Sequence, residues 1–151
     1  MKIRWNIFWF LGAATLLALD LTTKWLAESY LVQKTIEIIP GILKLNFNAN
    51  TGIAFSVPVP NFTMIILTPV LLAALTWLVI RQCNIGSPIT KTILTLFVAG
   101  GLGNLINRLT LGAVTDFISF SFWPSFNLAD SYLVIAALLL LTLHGKIAVK
   151  P

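Results

Sequence analysis

Charge is scarce in this 151-residue chain: charged residues make up only 10%, five of them acidic, against 58% hydrophobic. A water-soluble domain carries roughly a quarter charged residues to cover its surface. So sparse a supply excludes an ordinary soluble domain and makes lipid the main solvent. A single cysteine, Cys83, excludes an intrachain disulfide framework. A single histidine, His144, leaves no Cys/His cluster at metal-ligand spacing. A Ser-His-Asp or Cys-His apparatus would have to be built on His144, which ends the last apolar run far in sequence from any nucleophile. The net charge of +5 is scattered and forms no basic face, so nucleic acid is not an expected partner. There are no internal repeats and no low-complexity tract, and the length fits one membrane domain, 1–151.

Apolar length is what the chain has instead. Runs at about 5–27, 62–80, 92–109 and 130–144 span, or nearly span, the roughly 30 Å of bilayer hydrocarbon. The opening "MKIRW" and the run behind it resemble a signal peptide. The run is long and no small-x-small cleavage site follows, so it reads as an uncleaved first span. Lys2 and Arg4 precede the first span, Arg81 and Lys91 bound the loop between the second and third, and Lys146 and Lys150 follow the fourth. The positive-inside rule assigns those three regions to the cytoplasm, so both termini are expected inside. The segment at about 30–61 is not a span. Its "TIEIIPGILKLNFNANTG" alternates, is rich in β-branched residues and carries Pro40-Gly41 as a turn signal. The expected fold is an all-α integral membrane protein of four transmembrane helices, with a small extracytoplasmic β-element between helices 1 and 2.

With that topology the polar residues fall at one depth. Asp20 and Lys24 lie at the outer end of the first span, and Asn50 and Gly52 precede the second. Asn104 and Arg108 end the third, Asp116 lies in the second outer loop, and Asn127 and Asp130 begin the fourth. Ionisable groups in or beside spans are expensive and point to function. In "GGLGNLINRL", Gly100, Gly103, Asn104, Asn107 and Arg108 follow i, i+3, i+4 steps and share one helix face. The glycines let another helix approach closely, and a packing face with one snorkelling arginine would also account for the pattern. Asp20 and Lys24, spaced i, i+4 with the acid first, suit a helical ion pair that orients the span rather than reacts.

Asp116, in "AVTDFISF", and Asp130, at the mouth of "ADSYLVIAALLLL", remain. A capping role is enough to explain Asp130 alone, since Asp is a preferred N-cap. Taken with Asp116 on the same side, a second account opens. Two carboxylates held close share a proton. The ionised one can draw a proton from water, while the protonated one polarises a carbonyl and later protonates the leaving amine. Peptide hydrolysis at a membrane surface is chemically available to such a pair.

Five motifs occur in order: "DLTTK" (residues 20–24), "NTGIAFS" (50–56), "GGLGNLINRL" (100–109), "VTDF" (114–117) and "FNLAD" (126–130). Together they resemble the five boxes of the bacterial lipoprotein signal peptidases, the type II signal peptidases, and the resemblance covers most of the chain. It implies a membrane aspartic endopeptidase of the cytoplasmic (inner) membrane. Such an enzyme removes the signal peptide from prolipoproteins just before a diacylglyceryl-modified lipobox cysteine. Carried over residue by residue, it makes Asp116 and Asp130 the catalytic pair. Asn127 and Ala129 would shape the site, and Asn104 and Arg108 would bond the substrate backbone or steady the aspartates. Asn50 and Gly52 would lie in the β-element that cradles substrate, with Asp20 and Lys24 supporting the site from below. Two positions depart from the usual pattern: Asn107, where many members have aspartate, and Thr115, where valine is usual.

The acyl chains of such a substrate stay in the bilayer, so a site at the outer leaflet meets the scissile bond without lifting lipid into water. No metal or organic cofactor is called for, since two carboxylates and a water suffice. The competing expectation is a small non-enzymatic protein, a transporter subunit or assembly factor. Transporters gather polar groups near the bilayer midplane, whereas here the middles of the spans are bland.

Overall fold

The computed structural model describes residues 2–52 and 59–149, with side chains from residue 7 onward. Residues 53–56 of the second motif and Lys150 lie outside the described residues. Four long helices carry the chain: α1 (Lys2–Tyr30), α2 (Asn61–Gln82), α3 (Pro88–Leu111) and α4 (Leu128–Ile147). Each is long and apolar enough to cross a membrane. Their outer surfaces confirm the solvent. Phe62, Val70 and Trp77 of α2, and Val134, Leu138 and Leu141 of α4, are exposed. Such faces are stable only where the surroundings are as apolar as they are, and a helix satisfies its own backbone there.

α3 is the hub, packing against each of the other three helices. Its small residues make this possible. A Cβ on Gly100 would stand 2.6 Å from the Ala129 carbonyl oxygen of α4, and one on Gly103 would collide with the Asp20 carboxylate of α1. The main apolar core lies around α3, with Ile93, Phe97 and Ala99 against Val79, Tyr132 and Ala136. At the end of the bundle away from the sheet, the Val149 amide donates to the Gln82 carbonyl and the Asn84 amide to the Ile147 carbonyl, at 2.9 and 2.7 Å. The chain's last described turn is thus tied to the α2–α3 connection.

The other end carries an antiparallel sheet in the order β1-β2-β3-β4. β1 (Ile36–Ile39) and β2 (Leu43–Asn50) form the element expected between α1 and α2, turning at Gly41, whose φ of 68° suits glycine. The connection between α3 and α4, a loop in the sequence reading, supplies the other half as β3 (Val114–Phe120) and β4 (Trp123–Phe126). A lone two-stranded hairpin is marginal in water. β3, rich in Val, Ile and Phe, completes it by pairing along the length of β2. Phe117 packs with Ala27 of α1 and with Leu31 just past its end, and so seats the sheet on the bundle. Gly112, left-handed at φ 75°, ends α3 and turns the chain into β3.

Candidate active site

Asp116 projects from β3 and is 1% exposed. Burial of that kind demands ligation, and both carboxylate oxygens accept hydrogen bonds. Asn127 Nδ2 donates to Oδ1 at 2.7 Å, and Asn50 Nδ2 donates to Oδ2 at 2.9 Å. Burial, and then the nearby Asp130 charge, push the Asp116 carboxyl up to about 6, against the pull of the two amide donors and of Lys24.

Asp130 is not the cap of α4. Asn127 is: its side chain accepts from the Asp130 amide at 2.9 Å, and Asp130 Oδ2 accepts in return from the Asn127 amide at 3.2 Å. This reciprocal capping box puts Asp130 one turn inside the helix, at N3. Its other oxygen accepts from Asn104 Nδ2 at 2.8 Å. Asn127 therefore touches both carboxylates and caps the helix that carries one of them.

A buried ion pair supports this arrangement from α1. Lys24 Nζ lies 2.7 Å from Asp20 Oδ2, with side chains 1% and 0% exposed. The same ammonium donates to Asn104 Oδ1 at 2.9 Å, and that oxygen also accepts from Asn127 Nδ2 at 3.2 Å. Asp20 Oδ1 accepts the Ala129 amide at 2.8 Å, so α1 holds the first turn of α4. On the far side, Asn50 Oδ1 accepts the Gly52 amide at 2.9 Å, and Arg108 Nη2 donates to the Gly52 carbonyl at 2.7 Å. The ten residues singled out in the sequence thus form one hydrogen-bonded network. Arg108 Nη1 is buried and has no partner among the described residues.

The two unusual positions are also accounted for. Asn107 Oδ1 accepts the Thr115 amide at 2.7 Å, a role that needs only an acceptor and that Asn and Asp fill alike. Thr115 Oγ1 donates to Glu28 Oε1 at 2.5 Å. Together these bonds hold the start of β3, and with it Asp116, against α3 and α1. Glu28 went unmarked in the sequence because nothing in its neighbourhood signals a partner 87 positions away. Asn48 was also missed. It pairs in register with Asp116 across the β2–β3 ladder and lines the same cleft. Its signal was the period-two polar row of "KLNFNAN".

The network faces a cleft of about 1260 Å³. One wall is apolar, formed by Leu71 and Leu75 of α2 with Leu133 and Val134 of α4; the opposite wall is the polar face of the sheet. Two linked carboxylates where α1, α3 and α4 meet the sheet, beside a cleft walled by α2, are the architecture of an integral-membrane aspartic peptidase.

Comparison with known proteins specifies the family. Residues 12–144 match the family described as signal peptidase (SPase) II. The lipoprotein signal peptidase of Chlorobaculum tepidum is 40% identical over 93% of this chain and 95% of its own length. That of Chlorobium phaeovibrioides is 34% identical over 96% and 92%. A bacterial membrane enzyme solved by the in meso method at 2.3 Å superposes with a TM-score of 0.80 and 28% identity, over 92% of this chain and 88% of that one. The chain belongs to the signal peptidase II family, and it is a multi-pass bacterial membrane protease.

Proposed function

We propose that Asp116 and Asp130 are the catalytic pair of this peptidase and that its substrates are prolipoproteins cut before a diacylglyceryl-modified cysteine. The observation that carries this reading is Asn127, which bonds both carboxylates at the edge of the cleft. Two aspartates so linked share one proton. The ionised carboxylate takes a proton from the attacking water as oxygen bonds to the scissile carbonyl carbon. The protonated one hydrogen-bonds the carbonyl oxygen, then gives its proton to the leaving nitrogen as the C–N bond breaks. Arg108 Nη1, buried and without a partner among the described residues, supplies a donor for a substrate carbonyl. The remaining network residues position these groups.

The apolar wall between α2 and α4 suits a substrate that stays partly in lipid. We place both termini on the cytoplasmic side and the site at the outer leaflet, from the distribution of Lys and Arg. The test is cleavage of a diacylglyceryl-modified prolipoprotein by the purified enzyme and by Asp116→Asn and Asp130→Asn. Wild type should cut before the lipidated cysteine. Each variant should fold yet lose activity by about a thousandfold or more, as removal of an essential acid or base does. Near-full activity in either variant sinks the assignment.

A further inference from the structure

Asp20, Lys24 and Glu28 recur at i, i+4 steps along one face of α1. Each reaches a different element. Asp20 Oδ1 accepts the Ala129 amide of α4 at 2.8 Å. Lys24 Nζ donates to Asn104 Oδ1 of α3 at 2.9 Å. Glu28 Oε1 accepts the Thr115 hydroxyl of β3 at 2.5 Å. The two carboxylates of this stripe share a further property. Ala129 is the residue directly before Asp130, and Thr115 is the residue directly before Asp116. α1 thus grips the chain one residue ahead of each aspartate, from Cα positions about 12 Å apart at helical rise.

We propose that Glu28 is a positioning residue for hydrolysis: with Asp20 it makes α1 the gauge that sets Asp116 against Asp130. This rests on the catalytic pair assigned above. Side chains alternate along a strand, so Thr115 and Phe117 turn to α1 while Asp116 between them turns to Asn127. Phe117 packs against its apolar neighbours, but that attraction is non-directional and does not fix a strand along its length. A hydrogen bond is directional, and one to a carboxylate is short and strong. Asn107 of α3 accepts the Thr115 amide, so the residue ahead of Asp116 is fixed from two helices at once. The Glu28 side chain bonds Thr115 and neither aspartate among the described residues. It therefore acts on the reaction only through where Asp116 stands. A valine at 115, usual in the family, has no hydroxyl to give, so this contact depends on the threonine found here.

The test measures kcat and KM of the full-length enzyme on a diacylglyceryl-modified prolipoprotein. The variants are Glu28→Leu, Glu28→Gln, Thr115→Val, Thr115→Ser and the double change Glu28→Leu with Thr115→Val. Thr115→Val is close to isosteric and carries the test if Glu28→Leu does not fold. Each of these two should lower kcat about tenfold with KM little changed, since a 1 Å misplacement can cost about a hundredfold. Glu28→Gln keeps the acceptor and Thr115→Ser the donor, so each should retain at least about half of wild-type kcat. The double variant should be no slower than the slower single one, because both changes break the same bond. Wild-type kcat in Thr115→Val overturns the proposal, as does a loss carried by KM. So does a Glu28→Gln as slow as Glu28→Leu, which would make charge rather than the bond the cause. Losses that multiply in the double variant overturn it too. Failure of wild type to cut the prolipoprotein overturns the underlying peptidase reading instead, and the proposal with it.

Discussion

Asp116 is held by opposing influences: burial and the Asp130 charge raise its pKa to about 6, while two amide donors and Lys24 restrain it. A carboxyl with a raised folded-state pKa binds its proton more tightly folded than unfolded. Its contribution to stability is therefore full below the unfolded value of 3.8 and is eroded as pH rises through about 6. Asparagine at 116 cannot ionise. The melting temperature of Asp116→Asn relative to wild type should accordingly climb by roughly a few degrees between acid and mildly alkaline pH. A pH-independent difference, read by tryptophan fluorescence in detergent, would contradict the buried-carboxyl account. Lys24 sets a second balance, because Asp20, its ion-pair partner among the described residues, is just as buried. Lys24→Met strands that carboxylate and should cost about 3–5 kcal/mol. The double change Asp20→Asn with Lys24→Met removes both charges and should recover most of the loss. A double variant no more stable than the single one would show that the network, rather than charge burial, dominates.

At the scale of the element, α3 depends on the absence of side chains. Gly103 faces the Asp20 carboxylate at a distance no Cβ can share, whereas a Cβ on Gly12 of α1 would meet only Thr95, at 3.8 Å. Gly103→Ala should push α1 away, strain the Asp20–Ala129 bond and cut activity at least tenfold, in line with the cost of small misplacements at a catalytic site. Gly12→Ala should be close to neutral in the same assay. These elements were legible to different degrees. The spans stood out because lipid imposes a length of apolar chain that few other environments require. The glycine–asparagine face of α3 stood out because helical spacing is strict. β3 escaped notice although "VTDFISF" is rich in strand formers, because its pairing with β2 is a long-range event that short stretches do not announce. The sequence also leaves a capping role open for Asp130, because it permits a helix start at either Asn127 or Asp130. Only the reciprocal bond between them fixes which residue caps and which is left to face the cleft.

For the molecule as a whole, the sheet joins parts of the chain that sequence reading treated separately. Two of its strands come from before α2 and two from after α3, so the cleft is closed by segments distant in sequence. The proposed orientation puts this sheet on the outer side of the membrane. Cys83 is 2% exposed and gives little background in thiol labelling. In a Cys83→Ser background, cysteine at Phe122 in the β3–β4 turn should react with an impermeant maleimide in intact spheroplasts. Cysteine at Gly86 in the α2–α3 connection should react only after permeabilisation. The reverse pattern would invert the topology and remove the outer-leaflet placement.

The network that joins Asp20 and Lys24 to Asp130 spans most of the chain. Synthesis proceeds from the N-terminus, so the first member of the constellation is made long before the last. Asn127, which links the carboxylates, is also the residue that starts the final helix. A nascent chain lacking that helix therefore has no paired acids. On the proposed catalytic pair, a chain whose last span has not docked would lack hydrolytic competence.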